Sequence, residues 1–171
     1  MINADRFVKE FRNDLLLGND IFFIGISSGI SGTIHAAQTA AQILAEEFPE
    51  RKIIVFDSLG AGLGTGLLVC KAADMRAEGI EIENVNEELI PYRNNLCEFF
   101  TVDDLAFLKR SGRLSGVASA IGTILQIKPV LRGDEEGHIV AYAKHRGRKH
   151  AIDAIVELFK KKARNVEENR I

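Results

Sequence analysis

The sequence predicts an α/β fold in which a partial parallel sheet with flanking helices is followed by a smaller α+β lobe. Three observations carry that expectation. Two short apolar runs, Ile21-Phe22-Phe23-Ile24-Gly25-Ile26 and Ile53-Ile54-Val55-Phe56, are uninterrupted by charge, as in strands covered on both faces of a parallel sheet. Helical apolar spacing precedes, separates and follows them, and an αβαβα order with short connections sets the strands side by side with helices on their faces. Beyond about residue 95 the pattern changes to a hairpin flanked by helical stretches.

Residues 5–17 carry Phe7, Val8, Phe11, Leu15 and Leu16 at helical spacing and run into Gly18, a C-terminal cap. The first strand follows at once. After it come a serine-rich turn and a helix over residues 33–48, with Ala36, Ala37, Ala40, Ile43, Leu44 and Phe48 on its apolar face. The second strand, residues 52–57, ends on Asp57 and Ser58. From Gly60 to Gly66 every second residue is glycine, which suits either a tight turn with close backbone packing or a backbone wall for a ligand. An apolar helix over residues 67–76 then leads to Gly79, and a helix over residues 85–94 leads to a strand at residues 97–102. A helix over residues 105–109, a small-residue loop and a thin-faced helix at residues 117–125 come next. Residues 128–132 and 138–143 flank Gly133-Asp134-Glu135-Glu136-Gly137 in a hairpin pattern, and a helix over residues 149–163 closes the chain. Residues 1–94 are thus expected to form an α/β lobe and residues 95–171 an α+β lobe.

Composition narrows the function classes. A net charge of -2 with 46% hydrophobic residues gives no general basic bias toward nucleic acid. No apolar run approaches the roughly 18 residues of a membrane span, and the polar start has no signal-peptide pattern, so the cytoplasm is expected. Cys70 and Cys97 read as buried thiols, not as a disulfide or metal pair. The glycine run misses the G-x-G-x-x-G pattern at Thr65 and Leu67, and no P-loop is present, so a dinucleotide or P-loop site is disfavoured. No cofactor and no metal are expected.

Residues 26–35, Ile-Ser-Ser-Gly-Ile-Ser-Gly-Thr-Ile-His, are the most informative stretch. Backbone N–H groups and the positive end of the helix dipole converge at such a strand-to-helix junction, and serine hydroxyls add donors for a carboxylate or phosphate. Two other readings stay open. The hydroxyls can simply cap the helix, with Ser31 as N-cap. Gly25-Ile26-Ser27-Ser28-Gly29 also fits the G-x-S-x-G of a hydrolase nucleophile elbow. A hydrolase needs a histidine near Ser27, yet His138, His145 and His150 fall in the second lobe and His35 on the adjacent helix. The basic run Lys144, His145, Arg146, Arg148 and Lys149 reads as a solvated helix entrance or as a charged rim for an anion or partner.

Four motifs in order resemble the DegV family: Ile26-Ser27-Ser28-Gly29-Ile30-Ser31-Gly32-Thr33; Phe56-Asp57-Ser58 with its glycines; Leu105-Ala106-Phe107-Leu108-Lys109-Arg110-Ser111-Gly112-Arg113-Leu114; and Ile127-Lys128-Pro129-Val130-Leu131. The likeness runs from about Arg6 to Ala163 and covers the middle of the family pattern. A leading Thr-Ser-Gln-Pro segment and a final His-Thr-Gly-x-Gly-like turn have no counterpart, and Gly60 and Gly62 stand where the family commonly carries serines. The resemblance implies a bacterial fatty-acid-binding protein without catalysis of its own. Such a protein holds one long-chain fatty acid between two lobes and presents the carboxylate to a dihydroxyacetone-kinase-like fatty acid kinase subunit. Carried over by motif, Ser31 binds the carboxylate, Ser27, Ser28, Gly32 and Thr33 shape the turn, Ser58 belongs to the same ligand-binding set, and Arg146 is the basic position near the carboxylate or kinase surface. Leu63, Leu67, Ile121, Ile124 and Leu125 are the expected acyl lining. An interaction-only domain is the alternative. A parallel sheet of so few strands leaves edges open, so a homodimer or a rearranged second lobe is also expected.

Overall fold

The computed structural model describes residues 2–113 and 127–166 and divides into two compact units, Met1–Leu96 and Cys97–Ile171. In the first, α1 (Ala4–Leu16) is opened by Asn3, whose side chain accepts the Arg6 N–H at 3.1 Å. It closes on Gly18, at φ +80°, where the Gly18 and Asn19 N–H groups return to the carbonyls of Leu15 and Asp14. Phe7, Phe11 and Leu15 recur every fourth residue and are buried on one face.

The parallel pair β1 (Ile21–Gly25) and β2 (Ile53–Asp57) runs from Ile21 opposite Ile53 to Gly25 opposite Asp57, so both carboxyl ends finish side by side. Alternation divides the side chains between two faces. Ile21, Phe23, Ile53 and Val55 join α1 and α2 (Thr33–Glu47), where Ala37 and Ala40 let the helix pack closely. Phe22, Ile24 and Phe56 join α3 (Gly62–Ala77) and α4 (Ile82–Asn95) through Leu68, Met75, Val85 and Leu89. The sheet is therefore covered by helices on both faces, as the unbroken apolar runs predict. Two exposed ion pairs clasp the rim. Arg12 holds Glu47 through two nitrogens, at 2.9 and 2.7 Å, and its hydrogen bond keeps the Glu47 carboxyl below its ordinary pKa. Lys52 pairs with Glu83 at 2.6 Å and lowers that carboxyl likewise.

In the second unit, α5 (Leu105–Arg110) is capped by Asp104, which accepts the Ala106 N–H at 2.8 Å. The antiparallel hairpin β3 (Ile127–Gly133) and β4 (Ile139–Arg146) has a bulge at Val130/Leu131, and α6 (Arg148–Lys162) packs on both strands. Leu108 and Leu131 form its core with Phe100, Leu105 and Ile139 around them.

Several expectations are corrected. The glycine run is not a turn throughout: the helix begins at Gly62, because burial of Leu68 and Met75 on Phe56 and Leu89 offsets poor glycine propensity. Residues 97–102 form no strand; Phe100 alone bridges Leu131, antiparallel, exchanging N–H···O bonds of 3.0 and 2.7 Å. Both cysteines are exposed. Cys70 lies two residues, about 200° around the helix, from buried Leu68, and Cys97 sits in the connecting segment. The helix expected at residues 117–125, with Ile121, Ile124 and Leu125, lies outside the described residues.

Candidate functional site

Seven residues, 26–32, join β1 to α2, and four, 58–61, join β2 to α3. The parallel register brings the two loops together at the carboxyl ends of the strands, the usual ligand position in such sheets. They are stitched by backbone bonds: Ser27 N–H donates to the Gly60 carbonyl at 2.8 Å and Ser58 N–H to the Gly25 carbonyl at 3.2 Å.

The serines divide into internal and outward roles. Ser27 is fully buried, its hydroxyl accepting the Gly29 N–H at 3.1 Å and its carbonyl accepting the N–H groups of Ile30 and Ser31 at 3.2 and 3.0 Å. A nucleophile needs access to substrate, so this burial removes support from the hydrolase reading. Ser58 is buried too; its hydroxyl donates to the Gly60 carbonyl at 3.2 Å and lies 3.0 Å from the Thr65 hydroxyl, tying the second loop to α3. Ser31 is half-buried and 2.8 Å from the Thr33 hydroxyl, and its oxygen also accepts the Thr33 N–H at 3.3 Å. The N-cap itself is Gly32, not Ser31: the helix starts one residue later than a serine cap requires, and Ser31 bonds the first helical residue instead. Ser27, Ser28, Ser31, Gly32 and Ser58 thus belong to one pair of loops, with Thr33 opening α2 beside them.

Gly25 makes the close packing beneath the turn feasible. A Cβ there would stand 2.6 Å from Cδ1 and 3.2 Å from Cγ1 of Ile34, which is itself buried.

Asp57 stands in the second motif of the sequence, which gives it no role of its own. Its carboxylate accepts the Ser28 N–H at 3.2 and 3.3 Å and the Leu59 N–H at 3.0 Å, while Arg93 donates to its carbonyl at 3.1 Å. The local signal is the Asx turn to Leu59. The bond to Ser28 spans 29 residues and has no local signal.

Beside these loops the first turns of α3 expose Gly62, Leu63, Gly66, Leu67 and Cys70, none of them charged, and Asp74 follows one turn beyond Cys70. Leu63 is 89% exposed and Leu67 half-exposed, so neither is plain core.

Arg146 belongs to the second unit, at the exposed end of β4, where its carbonyl lies 2.9 Å from His150 Nδ1. Its neighbours are paired off: Arg148 with Asp103 at 2.5 Å and Lys149 with Asp153 at 2.8 Å. Among the described residues, one group brings metal-ligand atoms together: Asp134, Glu136 and His138 of the hairpin turn, within 4.8 Å of one another. Asp134 Oδ1 already accepts the N–H groups of Glu136 and His138, so the cluster serves the turn itself.

No helix among the described residues is long and apolar enough to cross a membrane. Residues 1–171 match the family model described as "Uncharacterised protein, DegV family". A DegV domain-containing protein of Clostridium perfringens is 37% identical over 170 residues, 99% of this chain and 58% of the relative, so the chain spans little more than half of that protein's length. Among solved structures, a Thermus thermophilus DegV family protein described for fatty acid binding is 35% identical with a TM-score of 0.81, over 95% of this chain and 56% of the other. A Ruminococcus gnavus DegV family protein, described with vaccenic acid, is 26% identical with a TM-score of 0.85, over 95% and 57%. DegV of Bacillus subtilis, described as a fatty acid binding protein, is 35% identical with a TM-score of 0.77, over 92% and 55%. With its strand-end serine turn, its two-faced parallel sheet and a match along its whole length, the chain belongs to the DegV family.

Proposed function

We propose that the chain binds a long-chain fatty acid, with the carboxylate at the serine turn and the acyl chain along the exposed apolar first turns of α3. The observation that carries this reading is the pairing of a hydroxyl-bearing helix entrance at Ser31 with the exposed apolar first turns of α3 at Leu63 and Leu67. Related proteins described as fatty-acid-binding support it. Each buried methylene contributes about 0.8 kcal/mol, so a sixteen-carbon tail supplies on the order of 10 kcal/mol before ordering costs. A charged hydrogen bond from Ser31 adds about 1.5 to 3 kcal/mol. The tail sets affinity and the turn sets orientation. Ser27, Ser28, Gly32, Thr33 and Ser58 hold the turn's shape, and Arg146 is the cation offered to a dihydroxyacetone-kinase-like subunit that converts the carboxylate to an acyl phosphate. A second copy of the chain pairs on the strand edges of β1 and β2 that carry no partner strand among the described residues.

Mass spectrometry of the purified, denatured protein tests the ligand directly, with a fatty acid near one per chain expected. Protein free of fatty acid that also shows no binding of added palmitate overturns the reading. Light scattering across a concentration series tests the pairing.

A further inference from the structure

One residue ties both strand-end loops to α4. Asp57 is the last residue of β2, in register with Gly25. Both oxygens of its carboxylate accept the Ser28 N–H from the neighbouring loop, at 3.2 and 3.3 Å, and Oδ1 also accepts the Leu59 N–H of its own loop at 3.0 Å. Its main-chain carbonyl takes a bond from Arg93 of α4 at 3.1 Å, and that guanidinium lies 5.3 Å above the Phe56 ring. Leu59 stands at φ +50°, a left-handed conformation that leucine adopts at a cost and that persists only where surrounding bonds enforce it. The enforcing bond is the one to Asp57. Ser28 lies in the middle of the knot in which Ser27 accepts the N–H groups of Gly29, Ile30 and Ser31. A fixed Ser28 therefore fixes the approach to Ser31.

We propose that Asp57 is the positioning residue of the head-group turn: through Ser28 it holds the Ser31 hydroxyl where a fatty carboxylate meets it. This rests on the fatty-acid reading above only in naming the ligand. The proposal runs against simple electrostatics. The negative charge of Asp57 repels an anionic head group, so removing it would tighten binding on Coulomb grounds alone. A positioning role requires binding to weaken.

Asp57→Asn separates the two. The amide oxygen at the Oδ1 position keeps the Leu59 bond and one of the two Ser28 bonds, while the NH2 group at the Oδ2 position replaces the other with donor against donor and weakens the hold on Ser28. In the ligand-free chain, amide hydrogen exchange of Ser28, Leu59 and Ser31 is expected to quicken about tenfold, while the amides of Ile24 and Phe56 keep their protection. Unchanged exchange in the loops, or uniform quickening across β1 and β2, overturns the proposal. In titrations with palmitate and hexadecanol, palmitate is expected to bind about tenfold more weakly and the alcohol within about twofold of wild type. Tighter palmitate binding, or equal losses for acid and alcohol, also overturns it. If wild type binds neither compound, the fatty-acid reading and the ligand half of this proposal fall, and the exchange measurement alone decides whether Asp57 holds the turn. Should Asp57→Asn fail to fold, Asp57→Ser carries both measurements, since serine can keep the two-residue turn to Leu59 without reaching Ser28.

Discussion

Two strand-to-helix junctions, one in each unit, meet the same chemical demand in opposite ways. Between β1 and α2 seven residues intervene, two of the groups that shape them, Ser27 and Ser58, are buried, and donors are fixed by internal bonds. Between β4 and α6 a single residue intervenes, Gly147 at φ +84° and ψ 150°, and the flanking cations Lys144 and Arg146 are exposed. The first junction is pre-organised and can orient a bound group. The second carries its charge in solvent, where salt screens it within about 10 Å, and can attract but not orient.

Substitutions at the two junctions sharpen that contrast. Gly25→Ala is expected to have the largest effect, about 3 kcal/mol, because the new methyl overlaps buried Ile34 and the turn is packed against it. Thermal unfolding measures this, and an unchanged midpoint would show that Ile34 yields freely. Gly147→Ala should cost about 2 kcal/mol, from backbone strain and not from crowding, since the nearest atom to its added Cβ is 3.9 Å away. Swapping in the flexible but L-configured serine should cost as much, whereas a crowding origin would separate the two substitutions. Ser31→Ala should weaken palmitate binding about tenfold, the lower range for a charged hydrogen bond, because the Thr33 hydroxyl 2.8 Å away remains as a substitute donor. Unchanged affinity in calorimetric titration would take Ser31 out of the head-group site. Gly66→Ala tests the acyl wall: its Cβ meets nothing within 4 Å, so α3 should gain about 0.5 to 1 kcal/mol of stability. Loss of palmitate affinity in that stabilised protein would locate the chain on this face. Arg146→Gln is expected to move the palmitate Kd by no more than about twofold, with any change confined to association at low salt. A tenfold loss would instead place Arg146 among the orienting groups.

The sequence made the strands and the hairpin legible because their patterns are local. Unbroken apolar runs mark β1 and β2, and Gly133 to Gly137 marks the reversal between β3 and β4. It concealed what depends on distant partners. The glycine run reads as a loop until Leu68 and Met75 are seen against Phe56 and Leu89. Residues 97–102 look like a strand because Phe99, Phe100 and Val102 have the composition of one, yet only Phe100 finds a ladder partner. Around the turn, the hydroxyl cluster was plain from its composition. The division into buried Ser27 and Ser58 and half-buried Ser31, and the reach of Asp57 to Ser28, depend on the parallel register and have no local trace.

That register also bears on how the chain comes into being. Ile21 must wait for Ile53, 32 positions later, whereas Gly133 meets Ile139 after six. The difference in loop length alone is worth about 1.5 kcal/mol of closure entropy in favour of the hairpin. At a synthesis rate of roughly 5 to 20 residues per second, β1 spends roughly 2 to 6 s off the ribosome's track without its partner strand. During that interval Ile21, Phe22, Phe23 and Ile24 form an apolar segment with unpaired backbone groups, the kind of segment that chaperones shield.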